Sequence, residues 1–353
     1  MKTKSKTFSS VVVIVLILAL ALPAGVLAAP SNDNFADAEQ ITSLPLSVNH
    51  DTTGATFETD EPYPSCGSGS SLKTAWFAYT SSTNQTLIAR TSYYYFPPIM
   101  AVYTGSSLND LTQVGCGNYY STLAFQAQAG ETYYFQIAGL YGEEGTIPFS
   151  LEVAPPPSVG ISYSPYDPNT FDNMWFYAGV NDPAGIYGFT YAWTFSDGTT
   201  SNQQSLNYQF AADGDYTVNL TATTSDGRSN SVNQVVQVRT RDVAVSKLSV
   251  PQTAVVNQTK TINVDIKNNR YSDYVQVTLI KGLPGGGEQV IGTLTIYVPA
   301  RATKPTTFKF SYTFTAADAA VGKVTFKAVA TIVNGRDALP SDNTLIASTN
   351  VNR

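Results

Sequence analysis

The chain has 353 residues, of which 13% are charged and 12% aromatic, with 22 tyrosines and a formal net charge of −6. An acidic chain rich in Tyr, Thr, Val, Asn and Gly, with hardly a run of Ala, Leu, Glu and Lys, argues against a nucleic-acid binder and against a helical protein, and favours strands. The length exceeds one ordinary core and suits two to four domains.

The N-terminus reads as a removable export signal spanning residues 1–28. Lys2, Lys4 and Lys6 form a basic region, VVVIVLILALAL (residues 11–22) an apolar one, and Val26, Leu27 and Ala28 fit a small-residue cleavage site. No later segment is long and apolar enough to cross a bilayer, so no stable span is expected after cleavage. The expected location is secreted, extracellular or attached to the cell surface. In that oxidising setting the only two cysteines, Cys66 and Cys116, are expected to pair, closing a loop worth about 4 kcal/mol on the chain-entropy model.

Two composition breaks divide the mature chain. Residues 154–158 (APPPS) read as a stiff proline hinge, and residues 239–242 (RTRD) as a tight charged step. The expected domains are therefore 29–154, 155–240 and 241–353. Counting Asp and Glu against Lys and Arg gives them net charges of −10, −5 and +6. The basic last third suits an anionic envelope polymer or an acidic neighbour.

Within each segment the hydrophobic period is two. FQAQAGETYYFQIAGLYG (125–142), DYTVNLTATTSDGRSNSVNQVVQV (215–238) and KTINVDIKNNRYSDYVQVTLI (260–280) each place a turn between alternating runs. Only residues 33–40 and 316–320 have helical character. The expected fold is all-β, three tandem β-sandwich domains, the first jelly-roll-like and the other two immunoglobulin-like.

Residues 191–201 (YAWTFSDGTTS) and 213–227 (DGDYTVNLTATTSDG) resemble the PKD (polycystic kidney disease-type) immunoglobulin-like domain. Trp193 should point inward, Asp197 and Gly198 should make a hairpin turn, and Tyr216, two residues before Val218, should form a tyrosine corner. The first segment resembles the bacterial pre-peptidase C-terminal-like domain, through NDNFADAEQI (32–41), TAWFAYT (74–80), IMAVYTGSSLNDLTQVGC (99–116) and AGETYYFQIAG (129–139). Some members of that family bind calcium near their N-terminal linker. Here Asn32 and Asp33 answer to that cluster, whereas the upstream acids are replaced by Ala29, Pro30 and Ser31, and two further acids by Pro97-Pro98 and Gly117-Asn118. The third segment is similar to the bacterial cell-adhesion-related (CARDB-like) domain, through DVAVSKLSVP (242–251), QTKTINVDIKNN (258–269) and SDNTLIASTNV (341–351). These resemblances require no cofactor; calcium is the one they admit.

Catalytic patterns are missing. His50 is the single histidine, in a stretch that reads as a polar loop; no nucleophile-elbow pattern accompanies it, and one histidine with a paired cysteine couple cannot fill a zinc shell. The acidic pairs Asp60-Glu61 and Glu143-Glu144 read as solvated turn charge. The chain is expected not to be an enzyme.

Aromatic surface remains. Residues 90–108 (RTSYYYFPPIMAVYTGSSL) set three tyrosines before two prolines that end ladder pairing. If strand alternation continues from Arg90 and Ser92, Tyr94 points out and Tyr93 in. Tyr94, Tyr95, Tyr119, Tyr120 and Tyr141 are the candidate ligand-binding residues. Either they form a packing cluster that caps the sandwich, or they form a platform for a cell-surface polysaccharide or protein ligand. Trp175 alternates with Tyr177 and either faces out or packs on Trp193. Three roles follow: adhesion or ligand binding at the cell surface, self-association head to tail into a filament or layer, and targeting of a secreted hydrolase.

Overall fold

Two alternating sheets packed face to face recur three times along the chain in the computed structural model, which describes residues 28–67, 72–119, 122–268 and 270–353. The expected signal, residues 1–28, lies almost wholly outside the described residues. The protein is nearly all β, as its composition implies.

The first pair comprises a five-stranded sheet, in the order Glu39–Gln40, Thr74–Thr80, Thr132–Gly139, Pro98–Thr104 and Thr112–Asn118, and a four-stranded sheet, Leu46–Asp51, Thr146–Val153, Gln85–Thr91 and Thr122–Ala127. Phe77, Val102 and Phe135 of the first pack on Leu87, Phe125 and Phe149 of the second. Thr74–Thr80 and Pro98–Thr104 are buried on both faces, unlike a half-exposed strand. Their outer side chains, Trp76, Ala101 and Tyr103, lie under Phe35, Ala38 and Leu108, so the N-terminal segment and a loop serve as a third layer. Only Phe35–Asp37 of the helical stretch near residue 33 turns, and as a 3-10 helix.

The second pair comprises Ser158–Ser164, Met174–Asn181 and Ser205–Tyr208, facing Thr200–Ser201, Phe189–Phe195, Gly214–Thr224 and Ser229–Val238. Trp193 is fully buried, in the cluster that contains Phe176, Phe195, Phe210 and Val218. Gly198 has φ +92° and donates its N–H to the Phe195 carbonyl at 2.9 Å, closing the expected hairpin. The Tyr216 hydroxyl donates to the Ala212 carbonyl at 2.9 Å, the corner expected from its place before Val218.

The third pair comprises Val243–Ser249, Thr259–Asn268 and Arg301–Thr313, facing Thr253–Val255, Thr344–Asn352, Lys323–Ile332, Asp273–Gly282 and Glu288–Val298. Its core runs through Val264, Val277, Phe308 and Phe326. The helix Ala316–Val321 is capped reciprocally by Thr315 and Asp318. Asp318 also takes hydrogen bonds from Lys281 (3.0 Å) and Tyr312 (2.7 Å), so the buried lysine is paired.

Contacts gather the chain into two compact units. One holds the described residues up to Ser158 together with Asn181–Phe189 and Thr223–Ser229; the other holds Val159–Val180, Thr190–Ala222 and Asn230–Arg353. In the first, the proline run is no free hinge. The Ala154 N–H donates to the Thr86 carbonyl at 2.8 Å, and the Pro155 carbonyl accepts from Arg228 at 2.7 Å. Arg228 also bridges the buried carboxylates of Asp182 and Asp226, and Thr86 donates to Asp226 at 2.5 Å. In the second, Asp213 accepts from Thr240 and Tyr271, Arg241 pairs with Asp273, and Arg336 pairs with Asp172.

Candidate functional site

A proline has no N–H to give a ladder, but its carbonyl still accepts. At the start of Pro98–Thr104 this sets the local design. The Tyr119 N–H, just past the end of Thr112–Asn118, donates to Pro98 at 2.8 Å, and the Leu140 N–H, just past Thr132–Gly139, donates to Pro97 at 2.9 Å. The two neighbouring strands thus release their tyrosines on either side of the proline pair. Tyr119 and Tyr141 are joined there by a hydrogen bond between their side chains, which pushes the Tyr119 hydroxyl's pKa up.

Both tyrosines have left-handed backbones, φ +59° at Tyr119 and +61° at Tyr141. That conformation costs an L-residue about 1–2 kcal/mol, so their surroundings must hold them there. Phe96 packs at both ends of the turn that carries Tyr141. It is buried against Gly139 and Gly145; a Cβ at Gly139 would sit 2.9 Å from the Phe96 ring and 2.2 Å from the Glu143 carbonyl.

Tyr94 and Tyr95 make a second pair. Their rings meet edge to face at 4.3 Å, and they are 58% and 73% exposed. Tyr95 and Phe96 line an open depression with Lys73, Gly142, Glu143 and Glu144, so this pair flanks the same turn that carries Tyr141. Tyr120 lies outside the described residues.

The expectation for Tyr93 needs correction. Gln85–Thr91 ends before it, strand alternation no longer applies, and Tyr93 is exposed beside Tyr94 and Tyr95. Two further aromatics belong to this exposed set and were not anticipated. Phe57 and Tyr63 contact each other at 6.2 Å in the loop before Cys66, a stretch without any alternation to mark it. The Cys66–Cys116 disulfide fastens that loop to Thr112–Asn118, helped by the Asn118 amide donating to the Cys66 carbonyl at 3.1 Å.

Asn32 and Asp33 are both buried and both engaged. Asp33 accepts from the Thr56 N–H at 2.6 Å and the Thr56 hydroxyl at 2.8 Å, and the Asn32 amide donates to the Trp76 carbonyl at 2.9 Å. The Asn32 Oδ1 is buried without a partner. One already satisfied carboxylate and one amide oxygen do not fit a calcium shell of six to eight oxygens. Among the described residues no three His, Cys, Asp or Glu side chains gather as metal ligands. The pair instead pins the N-terminal segment over the sheet.

His50 is not in a polar loop. It lies on Leu46–Asp51, its ring edge to face with Phe77 at a centroid separation of 5.1 Å, and burial lowers its pKa. Glu61 is likewise no solvated turn charge. It is buried, accepts from Gln136 at 2.8 Å and from the Glu58 N–H at 2.8 Å, and burial raises its pKa. Asp60, Glu143 and Glu144 are exposed.

Trp175 faces out rather than packing on Trp193; Phe176 occupies that inner position.

No curated protein matches the chain. Among solved structures it is similar to dimeric latent PorU from Porphyromonas gingivalis, at 13% identity and a TM-score of 0.21 over 82% of this chain and 33% of that one. It is also similar to trypsin-activated α2-macroglobulin from Escherichia coli, at 10% identity and a TM-score of 0.20 over 84% of this chain and 25% of that one. The chain thus spans a third or less of either protein's length. The PKD domain family matches residues 167–240, the segment that holds buried Trp193 and the Tyr216 corner, and the chain therefore carries a PKD domain there.

Proposed function

We propose that this is a non-catalytic, exported surface protein that binds a glycan or protein ligand through the tyrosine surface of its N-terminal sandwich. The observation that carries the reading is the Tyr119–Tyr141 pair, two exposed phenols joined through their side chains on left-handed backbones. A capping cluster would bury its rings, whereas Tyr94, Tyr95, Tyr119 and Tyr141 are all left open to solvent. Tyrosine offers a flat apolar face and a polar tip with little rotamer entropy to lose, which suits recognition. In this reading residues 29–154 form a pre-peptidase C-terminal-like recognition domain, the PKD domain is a spacer, and the basic, CARDB-like residues 241–353 lie against anionic wall material. A pull-down of the mature protein on polysaccharides and cell-wall fractions at moderate salt tests it. Retention that is lost in a Tyr119→Ala/Tyr141→Ala variant supports the reading, and no retention by any fraction refutes it.

A specific observation favours self-association as a second reading. Glu288–Val298 is an eleven-residue edge strand whose only charge is Glu288, with Val290, Ile296 and Tyr297 exposed. In the facing sheet of the same sandwich the edge strand Arg301–Thr313 is guarded by Arg301, Lys304, Pro305 and Lys309. An unguarded edge invites strand addition from another chain.

A further inference from the structure

The outer face of Met174–Asn181 carries two large rings where the flanking strands carry only small side chains. Alternation turns Met174, Phe176 and Ala178 into the core and leaves Trp175 and Tyr177 outside, 45% and 37% exposed. Their rings are near-parallel, 17° apart in plane with centroids 5.5 Å apart. On one side Ser158–Ser164 turns Val159, Ile161 and Tyr163 inward, so Gly160 and Ser162 face out. On the other, Asn207 and Ser205 stand opposite Trp175 and Tyr177 in register. The Gln204 amide donates to the Tyr177 hydroxyl at 3.2 Å.

None of these three strands contains an Asp, Glu, Lys or Arg. We infer that this face of the PKD domain is a binding site for a neutral polysaccharide, with Trp175 and Tyr177 stacking on the C–H faces of sugar rings. The absence of cations on the face leaves nothing to hold a phosphate or uronate. The absence of carboxylates leaves nothing to attract a basic protein. What the face does offer is aromatic surface fringed by hydroxyl and amide groups, the complement of an uncharged polyol. The small neighbours Gly160 and Ser162 keep the rings proud of the sheet, so an extended chain can lie across them. This inference is independent of the tyrosine surface on the N-terminal sandwich.

The chain provides its own reporter. Of its three tryptophans, Trp76 and Trp193 are fully buried, and Trp175 alone is open to solvent. The mature protein is titrated with soluble β-glucan, xylan, mannan and chitin oligosaccharides, with polygalacturonate as an anionic comparison. Tryptophan emission and acrylamide quenching are followed. The expected result is that at least one neutral saccharide shifts the emission and shields Trp175 from acrylamide. Trp175→Ala should then weaken binding about tenfold or more, the scale of a lost stacking contact. Trp175→Tyr should lose the signal yet retain binding in a pull-down, and Tyr119→Ala/Tyr141→Ala should leave the signal unchanged. The proposal is overturned if no neutral saccharide alters emission or quenching, if only the polyanion does, or if Trp175→Ala binds as tightly as the parent.

Discussion

Arg228 ties together three separate segments of the first compact unit. It bridges Asp182 and Asp226, whose side chains are 2% and 3% exposed. The Arg228 hydrogen bond is the main cause that holds Asp182 below the usual carboxylate range. Burial alone would raise Asp226, but hydrogen bonds from Arg228, Thr224 and Thr86 outweigh it and hold that carboxyl low. Arg228→Met should therefore cost about 3–5 kcal/mol at neutral pH, read by chemical denaturation, because two buried charges lose their partner. For groups with lowered folded pKa, the stabilisation is fully present above the unfolded value near 4 and is lost as pH falls through the folded value. The parent should accordingly lose stability below about pH 4, and the gap to Arg228→Met should narrow there. Tyr216→Phe removes one exposed corner hydrogen bond and should cost about 1 kcal/mol. Trp193 and Tyr216 could be placed from sequence because strand alternation and turn spacing act locally. Glu61 and His50 could not, because Gln136 and Phe77, which surround them, arrive from distant strands.

At the scale of the element, the tyrosine surface depends on where strands stop. Alternation misplaces Tyr93, since the ladder ends at Thr91 and Tyr93, Tyr94 and Tyr95 are all exposed beyond it. The burial of Thr74 through Tyr79 on both faces was equally hidden, because the Phe35 layer over Trp76 leaves no periodic trace. The left-handed positions give a test that separates binding from folding. Tyr119→Gly relieves a disfavoured backbone, so stability should hold or rise by up to about 1 kcal/mol while retention on the ligand fraction falls. A loss of both would mark the ring as mere packing. The Cys66–Cys116 pair was legible from redox context alone, and its sequence separation of 50 predicts that Cys66→Ser/Cys116→Ser costs about 4 kcal/mol in thermal unfolding. Asn32 and Asp33, by contrast, tie down backbone, so millimolar calcium should leave the melting temperature unchanged.

Across the whole molecule the all-β class followed from composition, whereas surface chemistry divides the chain more sharply than fold does. In the second reading the acidic N-terminal third and basic C-terminal third, net −10 and +6, would attract one another between copies at low ionic strength. Light scattering should therefore show salt-sensitive growth if the second reading holds, and Thr295→Lys on the bare edge strand should stop it without destabilising the sandwich. A monomer at low salt removes that reading. The proline run at 155–157 would tempt anyone excising the N-terminal sandwich to cut there. Such a piece would shed Ala184 and Ile186 from above Ile88 and Ala124, together with Arg228 from Pro155, leaving a raw apolar scar. A fragment meant to keep its tyrosines on a finished body should therefore run on past Ser229.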